Sequence, residues 1–372
     1  MKLLRRATLL ALILTAGLPA CTPPPPDPMH SLPSRLPHAA VPASTPDGLA
    51  SLHLTVQMLF DKPAGTRPVG PIAVQRLTAQ DLARAPDGSA WRLGHSTLLF
   101  KLDSRFWLTD PVFSRRSSPV DWLGPLRFHA PPIALDELPP LAAVLLSHDH
   151  YDHLDEPTIR ALAHRAEVFV APLGVGELLV DWGVPASRVR ELAWWEHTTV
   201  AGLRLTATPA RHFSGRGLFD RNRRLWCSWV IESPQLKLFF GGDSGYFDGF
   251  REIGARLGPF DVSFLEAGAY DRRWPEVHMT PEQTVQAHRD LGARRLVPIH
   301  NGTFDLAFHR WDEPLERVSR EAHARGVELL TPRFGARLDL VAPEPTEAWW
   351  RSPEAEAAAR PAVANTSTAP AD

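Results

Sequence analysis

The sequence predicts a layered α/β domain with two sheets inside. Three observations carry that prediction: short apolar runs recur, each bounded by turn residues; helical patterns fall between some of them; and 44% of the 372 residues are hydrophobic, enough for a full core. In chain order the runs are "STLLFKLDSRFWLTD", "LAAVLLSHD", "AEVFVAP", "LRLTATPA", "LWCSWVIES", "LKLFFGGDSG", "VSFLEAG" and "RLVPIHNG". The helical patterns are "EPTIRALAHR", "GVGELLVDWG" and "TPEQTVQAHRDLGA". The last opens with Thr280 as N-cap, Pro281 in the first turn and Gln283 three residues on, a capping box. No internal repeat stands out.

The domain is expected over residues 61–342. Ahead of it, "MKLLRRATLLALILTAGLPAC" sets Lys2, Arg5 and Arg6 before an apolar segment and closes on small residues and Cys21, the plan of a signal peptide over 1–21. A transmembrane helix needs about 20 apolar residues, more than this run holds. Its tail "LPAC" resembles the lipobox of bacterial lipoproteins, in which the signal is cut before a cysteine that then carries lipid. A plain secretory signal or an uncleaved anchor stays open. A core helix is excluded, because "TPPPPDP" follows.

Residues 22–60, rich in Pro, Ala and Ser, read as an extended spacer, and 343–372 read as a disordered tail. The expected location is therefore the bacterial cell envelope, as a periplasm-facing membrane lipoprotein, or as a soluble secreted or periplasmic protein if the signal is plain. With Cys21 lipidated, Cys227 has no partner, so no disulfide is expected. Forty basic and forty-two acidic residues leave a net charge of −2, which supplies no overall field for nucleic acid. Oligomeric state is not legible.

Chemistry concentrates in "SHDHYDHLD", Ser147 to Asp155, directly after an apolar run. His148 and His150 can point to one side of an extended segment, and the turn beyond aims Asp152 and His153 at a neighbouring point. Imidazole and carboxylate are ligand types for a borderline cation such as zinc. A polar loop could hold two histidines by chance; the ordered H-x-H-x-D-H pattern after a buried strand is far more specific. Further ligands are expected at other strand ends, where His212, Asp243 and His300 close apolar runs.

This pattern resembles the metallo-β-lactamase superfamily. More closely, "LTDPVFSRRSSPVDWLGPLRF", "ELPPLAAVLLSHDHYDHLD", "GGDSGYFDGFREIGARLGPFDVSFLEAGAY", "HMTPEQTVQAH" and "VPIHNGTF" resemble the N-acyl-phosphatidylethanolamine-hydrolysing phospholipase D family and its bacterial relatives, over about 90–310. The resemblance implies a four-layer αββα sandwich with a two-zinc site. His148, His150 and His212 would hold one zinc, Asp152, His153 and His300 the other, and Asp243 would bridge them. A hydroxide between the metals would attack a phosphodiester phosphorus. Asp152 would also orient that hydroxide or take its proton, and His278 would give the substrate phosphate a hydrogen bond or a proton. His278 as a surface histidine ahead of a helix is the plainer alternative.

Asp110 and His95 also match family motifs and are expected to orient ligands rather than bind metal. His129, His164, His197, His288, His309 and His323 are expected at the surface or in packing, and the Trp194–Trp195 pair in the core or on a rim. Asn301 and Glu156 stand where mammalian members carry Trp and an aromatic residue, near the expected pocket.

The expected activity is hydrolysis of N-acyl-phosphatidylethanolamine-type phospholipids to N-acylethanolamine and phosphatidic acid, by an enzyme held on a membrane surface by its lipid anchor. Two other readings compete: a lactonase or amide hydrolase of the same superfamily, similar to its sugar-phosphate lactonases, and a non-catalytic envelope lipoprotein that binds metal or lipid.

Overall fold

The computed structural model describes residues 56–58, 61–70, 72–217 and 219–351. The expected signal peptide, Cys21, nearly all of the spacer and residues 352–372 lie outside them. Two of the expected boundaries are corrected. Residues 56–58 are helical, inside the span read as spacer, and the tail read as disordered from 343 is ordered through Arg351. Trp349 and Trp350 in a 3-10 turn pack with Ile72, Leu315 and Phe334, which is burial that no local pattern announces.

Fourteen strands form two seven-stranded sheets among the described residues. The first sheet contains β1 (Ser89–Gly94), β2 (Thr97–Leu102), β3 (Arg105–Thr109), β4 (Leu141–Leu145), β5 (Ala166–Pro172) and β6 (Val189–Leu192), with β14 (Leu338–Asp339) on the outer edge of β1. The second runs from β7 (His197–Val200) through β8 (Leu203–Thr208), β9 (Ser228–Glu232), β10 (Lys237–Phe240), β11 (Phe260–Glu266) and β12 (Ala293–Ile299) to β13 (Glu328–Leu329). Each sheet is antiparallel on one side and parallel on the other, the change falling at β3/β4 in the first and β10/β11 in the second. The helices are α1 (Ala79–Arg84), α2 (Glu156–Leu162), α3 (Gly176–Asp181), α4 (Gly249–Leu257), α5 (Pro281–Asp290) and α6 (Glu313–Ala324).

Alternation along the central strands explains why they read as almost unbroken apolar runs. Leu98, Phe100 and Leu102 of β2 face Leu205, Trp229, Leu238 and Phe264 across the gap between the sheets, while Leu99 turns outward to Ile159, Leu162 and Leu179 of α2 and α3. In the second sheet Leu238 and Phe240 point inward, and Phe239 turns out to Phe250, Ile253 and Val285 of α4 and α5. The layers are helix, sheet, sheet, helix, the four-layer αββα sandwich. Complete burial of a Leu or Phe is worth roughly 1.5–3 kcal/mol, so this three-tiered core dominates stability.

α5 begins as its sequence predicts. The Thr280 hydroxyl accepts from the Gln283 N–H at 3.3 Å, and the Gln283 side chain accepts from the Thr280 N–H at 2.9 Å. Such a cap stabilises a helix start by about 1 kcal/mol, and here it sets where His278 lies.

Candidate metal centre

All the chemistry-bearing loops leave the same end of the two sheets. From the first sheet come Asp110 after β3 and the 147–155 segment after β4; from the second come His212 beyond β8, Asp243 after β10, Glu266 ending β11 and His300 after β12. Close backbone approach makes the meeting possible. Gly242 adopts φ +56°, and a Cβ there would lie 2.6 Å from the Ser147 Cβ; a Cβ at Gly268 would lie 1.7 Å from the His300 carbonyl oxygen. His95, Asp110 and His300 hold φ of +54°, +35° and +61°, a left-handed backbone that costs a non-glycine residue of order 1–3 kcal/mol.

The segment turns as its sequence suggests, since the His153 and Leu154 N–H groups both donate to the His150 carbonyl. This fold-back divides the cluster in two. In the first group, His150 Nδ1 lies 2.9 Å from His148 Nε2 and 3.2 Å from His212 Nε2. In the second, Asp152 Oδ2 lies 2.9 Å from His95 Nε2, 3.2 Å from His300 Nε2 and 3.5 Å from His153 Nε2. Asp243 Oδ2 sits between the groups, 3.1 Å from both His153 and His300 and 3.7 and 3.9 Å from His212 and His148.

The orientation of these rings is set from outside. Asp110, fully buried, accepts from the Ser147 hydroxyl at 2.6 Å and from His153 Nδ1 at 2.7 Å. Because Ser147 gives its proton to Asp110, its oxygen accepts from His148 Nδ1 at 2.9 Å. His212 Nδ1 donates to the Val277 carbonyl at 3.0 Å. In all three rings Nδ1 is engaged and Nε2 is turned inward, as ligating histidines are held in metal sites.

Burial and neighbouring rings lower the proton affinity of His148 and His212 well below that of free imidazole, despite the Asp243 carboxylate. Burial pulls His153 and His300 the same way, but Asp243 and Asp152 outweigh it, raising His153 well above the usual range and His300 to about 10. Asp152 and Asp243 are penalised by burial yet held well below the usual carboxylate range by these histidines. Such a cluster attracts positive charge.

The residues fit metal ions by their unsatisfied atoms as well as by their type. His153 Nε2, His300 Nε2 and Asp243 Oδ1 are buried without a hydrogen-bond partner. His153 and His300 nitrogens come within 3.1 Å of Asp243 Oδ2 without forming a hydrogen bond to it, a convergence better suited to a shared cation. His148, His150 and His212 form one group that could hold an ion, and His148, His153 and Asp243, or Asp152, His153 and His300 with His95, form others.

All seven expected ligand positions and His278 come together, and so do Asp110 and His95. The other histidines behave largely as expected: His129 stacks on Phe334, His288 bonds the Ser263 hydroxyl, and His309 spans two backbone carbonyls. Trp194 donates to the Trp226 carbonyl, and Arg256 lies over Trp195. Asn301, next to His300, accepts from Arg92 and donates to the Ile299 carbonyl, and Glu156 pairs with Arg160 on the helix surface. One residue went unnoticed in the sequence: Glu266, fully buried, whose Oε2 lies 3.0 Å from His278 Nδ1.

The fold and this centre define a metal-dependent hydrolase. The chain belongs to the β-lactamase superfamily, whose domain model matches residues 105–301. An uncharacterized protein of Mycobacterium tuberculosis is 45% identical over 309 residues, 81% of each chain. The N-acyl-phosphatidylethanolamine-hydrolyzing phospholipase D 1 of Caenorhabditis elegans is 35% identical over 268 residues, 68% of this chain and 75% of that protein. Among solved structures, an isothiocyanate hydrolase from Delia radicum gut bacteria superposes with a TM-score of 0.54 at 18% identity, covering 67% of this chain and 98% of that one, a likeness of fold.

Proposed function

We propose that this protein is a two-zinc phosphodiesterase that hydrolyses N-acyl-phosphatidylethanolamine-type phospholipids to N-acylethanolamine and phosphatidic acid. The observation that carries the reading is the position of Asp243 Oδ2, within 3.9 Å of histidines from both groups. That placement suits a carboxylate shared by two ions, and the likeness to the worm phospholipase supports the substrate class.

His148, His150 and His212 would hold one ion, Asp152, His153 and His300 the other, with Asp243 between. Two such ions lower the pKa of a water and offset charge on the attacking and leaving oxygens of an in-line displacement. The chain supplies the rest. Asp152, locked by His95 at 2.9 Å, offers a fixed carboxylate to orient the attacking water or receive its proton. His278, whose side chain is 13% exposed and whose ring lies beside His212 and His300, would meet the phosphate end of the substrate. Asp110 fixes the direction of His153 and, through Ser147, of His148.

We place the enzyme in the bacterial envelope, tethered through a lipidated Cys21. Among the described residues no helix is long and apolar enough to cross a membrane. One acyl anchor gives only weak attachment unless reinforced.

The test is an assay of residues 22–372, the chain without its lipid-bearing cysteine, for zinc content and for N-acylethanolamine release, beside a lactone and a generic phosphodiester. Two zincs per chain and phospholipid turnover are expected. Lactone turnover without phosphodiester turnover would replace the reading with that of a lactonase. His278→Ala should slow turnover with both metals retained; metal loss in that variant would contradict its role at the substrate.

A further inference from the structure

We infer that Glu266 is a positioning residue for His278: it holds the proton of Nδ1, so that Nε2 is the ring atom that meets the substrate. The inference rests on the proposed role of His278, but its own evidence is geometric.

Glu266 ends β11, after six residues in which every side chain except Asp261 is buried. A carboxylate with no exposure is costly unless each oxygen is satisfied. Here both are. Oε1 accepts from the Met279 N–H at 2.8 Å, Oε2 accepts from His278 Nδ1 at 3.0 Å, and the residue's own carbonyl accepts from the Thr284 hydroxyl at 2.7 Å. One residue thus ties the end of a central strand to the start of α5 and to the ring between them. That ring lies 5.2 Å from His212 and 5.3 Å from His300, centroid to centroid, touching one histidine of each group.

Both Glu266 oxygens face donor positions, Oε1 the Met279 N–H and Oε2 the His278 ring, so the close Nδ1···Oε2 contact puts the proton on Nδ1. Nε2 is then the nitrogen left for substrate, and any proton exchanged with it moves through that atom alone. A role confined to anchoring α5 would need only the Met279 and Thr284 bonds.

Glu266→Gln separates the two roles. Glutamine has one acceptor oxygen, which can keep the Met279 N–H and so the helix start. Its amide nitrogen then faces His278 and can only donate, which forces the proton from Nδ1 to Nε2.

Nitrogen NMR of the histidine rings in the zinc-loaded full-length chain, with His278 assigned by loss of its signals in His278→Ala, tests the proton position without any substrate. Protonated Nδ1 is expected in the unsubstituted protein and bare Nδ1 in Glu266→Gln. A bare Nδ1 in the unsubstituted chain overturns the inference.

On vesicles of N-acyl-phosphatidylethanolamine, Glu266→Gln should lower kcat about 100-fold, within the span of general acid–base effects, with bound zinc unchanged. In a His278→Ala background the same substitution should change kcat by no more than about twofold, because its effect passes through the missing ring. Unchanged kcat, lost zinc, or an undiminished effect without His278 would each refute it. Absence of any phospholipid turnover in the unsubstituted chain would sink the proposed function, while the ring-nitrogen result would still decide for or against Glu266.

Discussion

The two halves of the cluster are equally deep and chemically opposite. His148 and His212 are nearly fully buried, as are His153 and His300. The first pair meets other imidazoles, which deepen the effect of burial and keep the rings neutral; the second meets Asp152 and Asp243, which reverse it. Burial alone therefore does not decide what a histidine is for. Neutral rings with inward Nε2 atoms offer lone pairs, while the second half adds the negative charge that would make a pair of cations tolerable at short range. Asp243 belongs to both halves, and the comparison stands or falls on it.

Asp243→Ala should have the largest effect, removing the one carboxylate shared between the groups. On the proposed two-zinc reading, loss of both metals and of detectable activity is expected by elemental analysis and product assay, and full activity would refute the bridge. Next come the ends that belong to one half only. His212→Ala should lose the ion of the three-histidine group and His300→Ala that of the other, so each variant should retain one zinc. If either variant lost both ions, the halves would be a single cooperative site.

Much of this centre was legible in the sequence because its parts obey one rule, a polar ligand directly beyond an apolar strand. His148, His212, Asp243 and His300 all follow it. Glu266 follows it too but carried no signal, since a lone glutamate before "AGAY" reads as the polar end of a strand; only the fold brings His278 against it. Strand β1 was missed because "SAWRLG" buries Arg92 and Ser89 among its apolar residues, which breaks the pattern that marks a strand. α6 was missed although Leu315, Val318 and Ala322 keep helical spacing, because charged residues fill the positions between. The order of 343–351 was invisible for another reason: Trp349 and Trp350 are buried by Ile72, Leu315 and Phe334, all distant in sequence.

A smaller effect should come from the residue that orients one half and reaches into the other. Asp110→Asn keeps the size of the side chain but has one acceptor oxygen where Asp110 uses two, Oδ1 for the Ser147 N–H at 2.7 Å and Oδ2 for the Ser147 hydroxyl and His153 Nδ1, so one of these sets must be lost. Outer partners of ligating histidines are typically worth 10–100-fold in metal affinity or activity, and a loss in that range is expected by titration with a competing chelator. Because His148 is held through Ser147, both ions should weaken; a change confined to the ion beside His153 would show that the halves are braced separately.

The smallest effect on activity comes from a histidine that shares the depth of the cluster without its carboxylates. His288, 2% exposed on α5 and bonded to the Ser263 hydroxyl at 2.8 Å, is pushed down to about 4 by burial and by Arg289. Its folded-state pKa lies below the unfolded value near 6.5, so below that pH the unfolded chain takes up a proton that the folded chain refuses. Stability should accordingly fall as pH drops from 6.5 towards 4 and level off beneath, by about 3 kcal/mol from this residue. Denaturant unfolding at pH 7 and at pH 4.5 in the unsubstituted chain and in His288→Gln measures it. The variant should lose less stability on acidification while its activity at neutral pH stays the same. An equal loss in both would mean that burial without a carboxylate does not hold this ring neutral, and would remove the contrast on which the two halves of the cluster were compared.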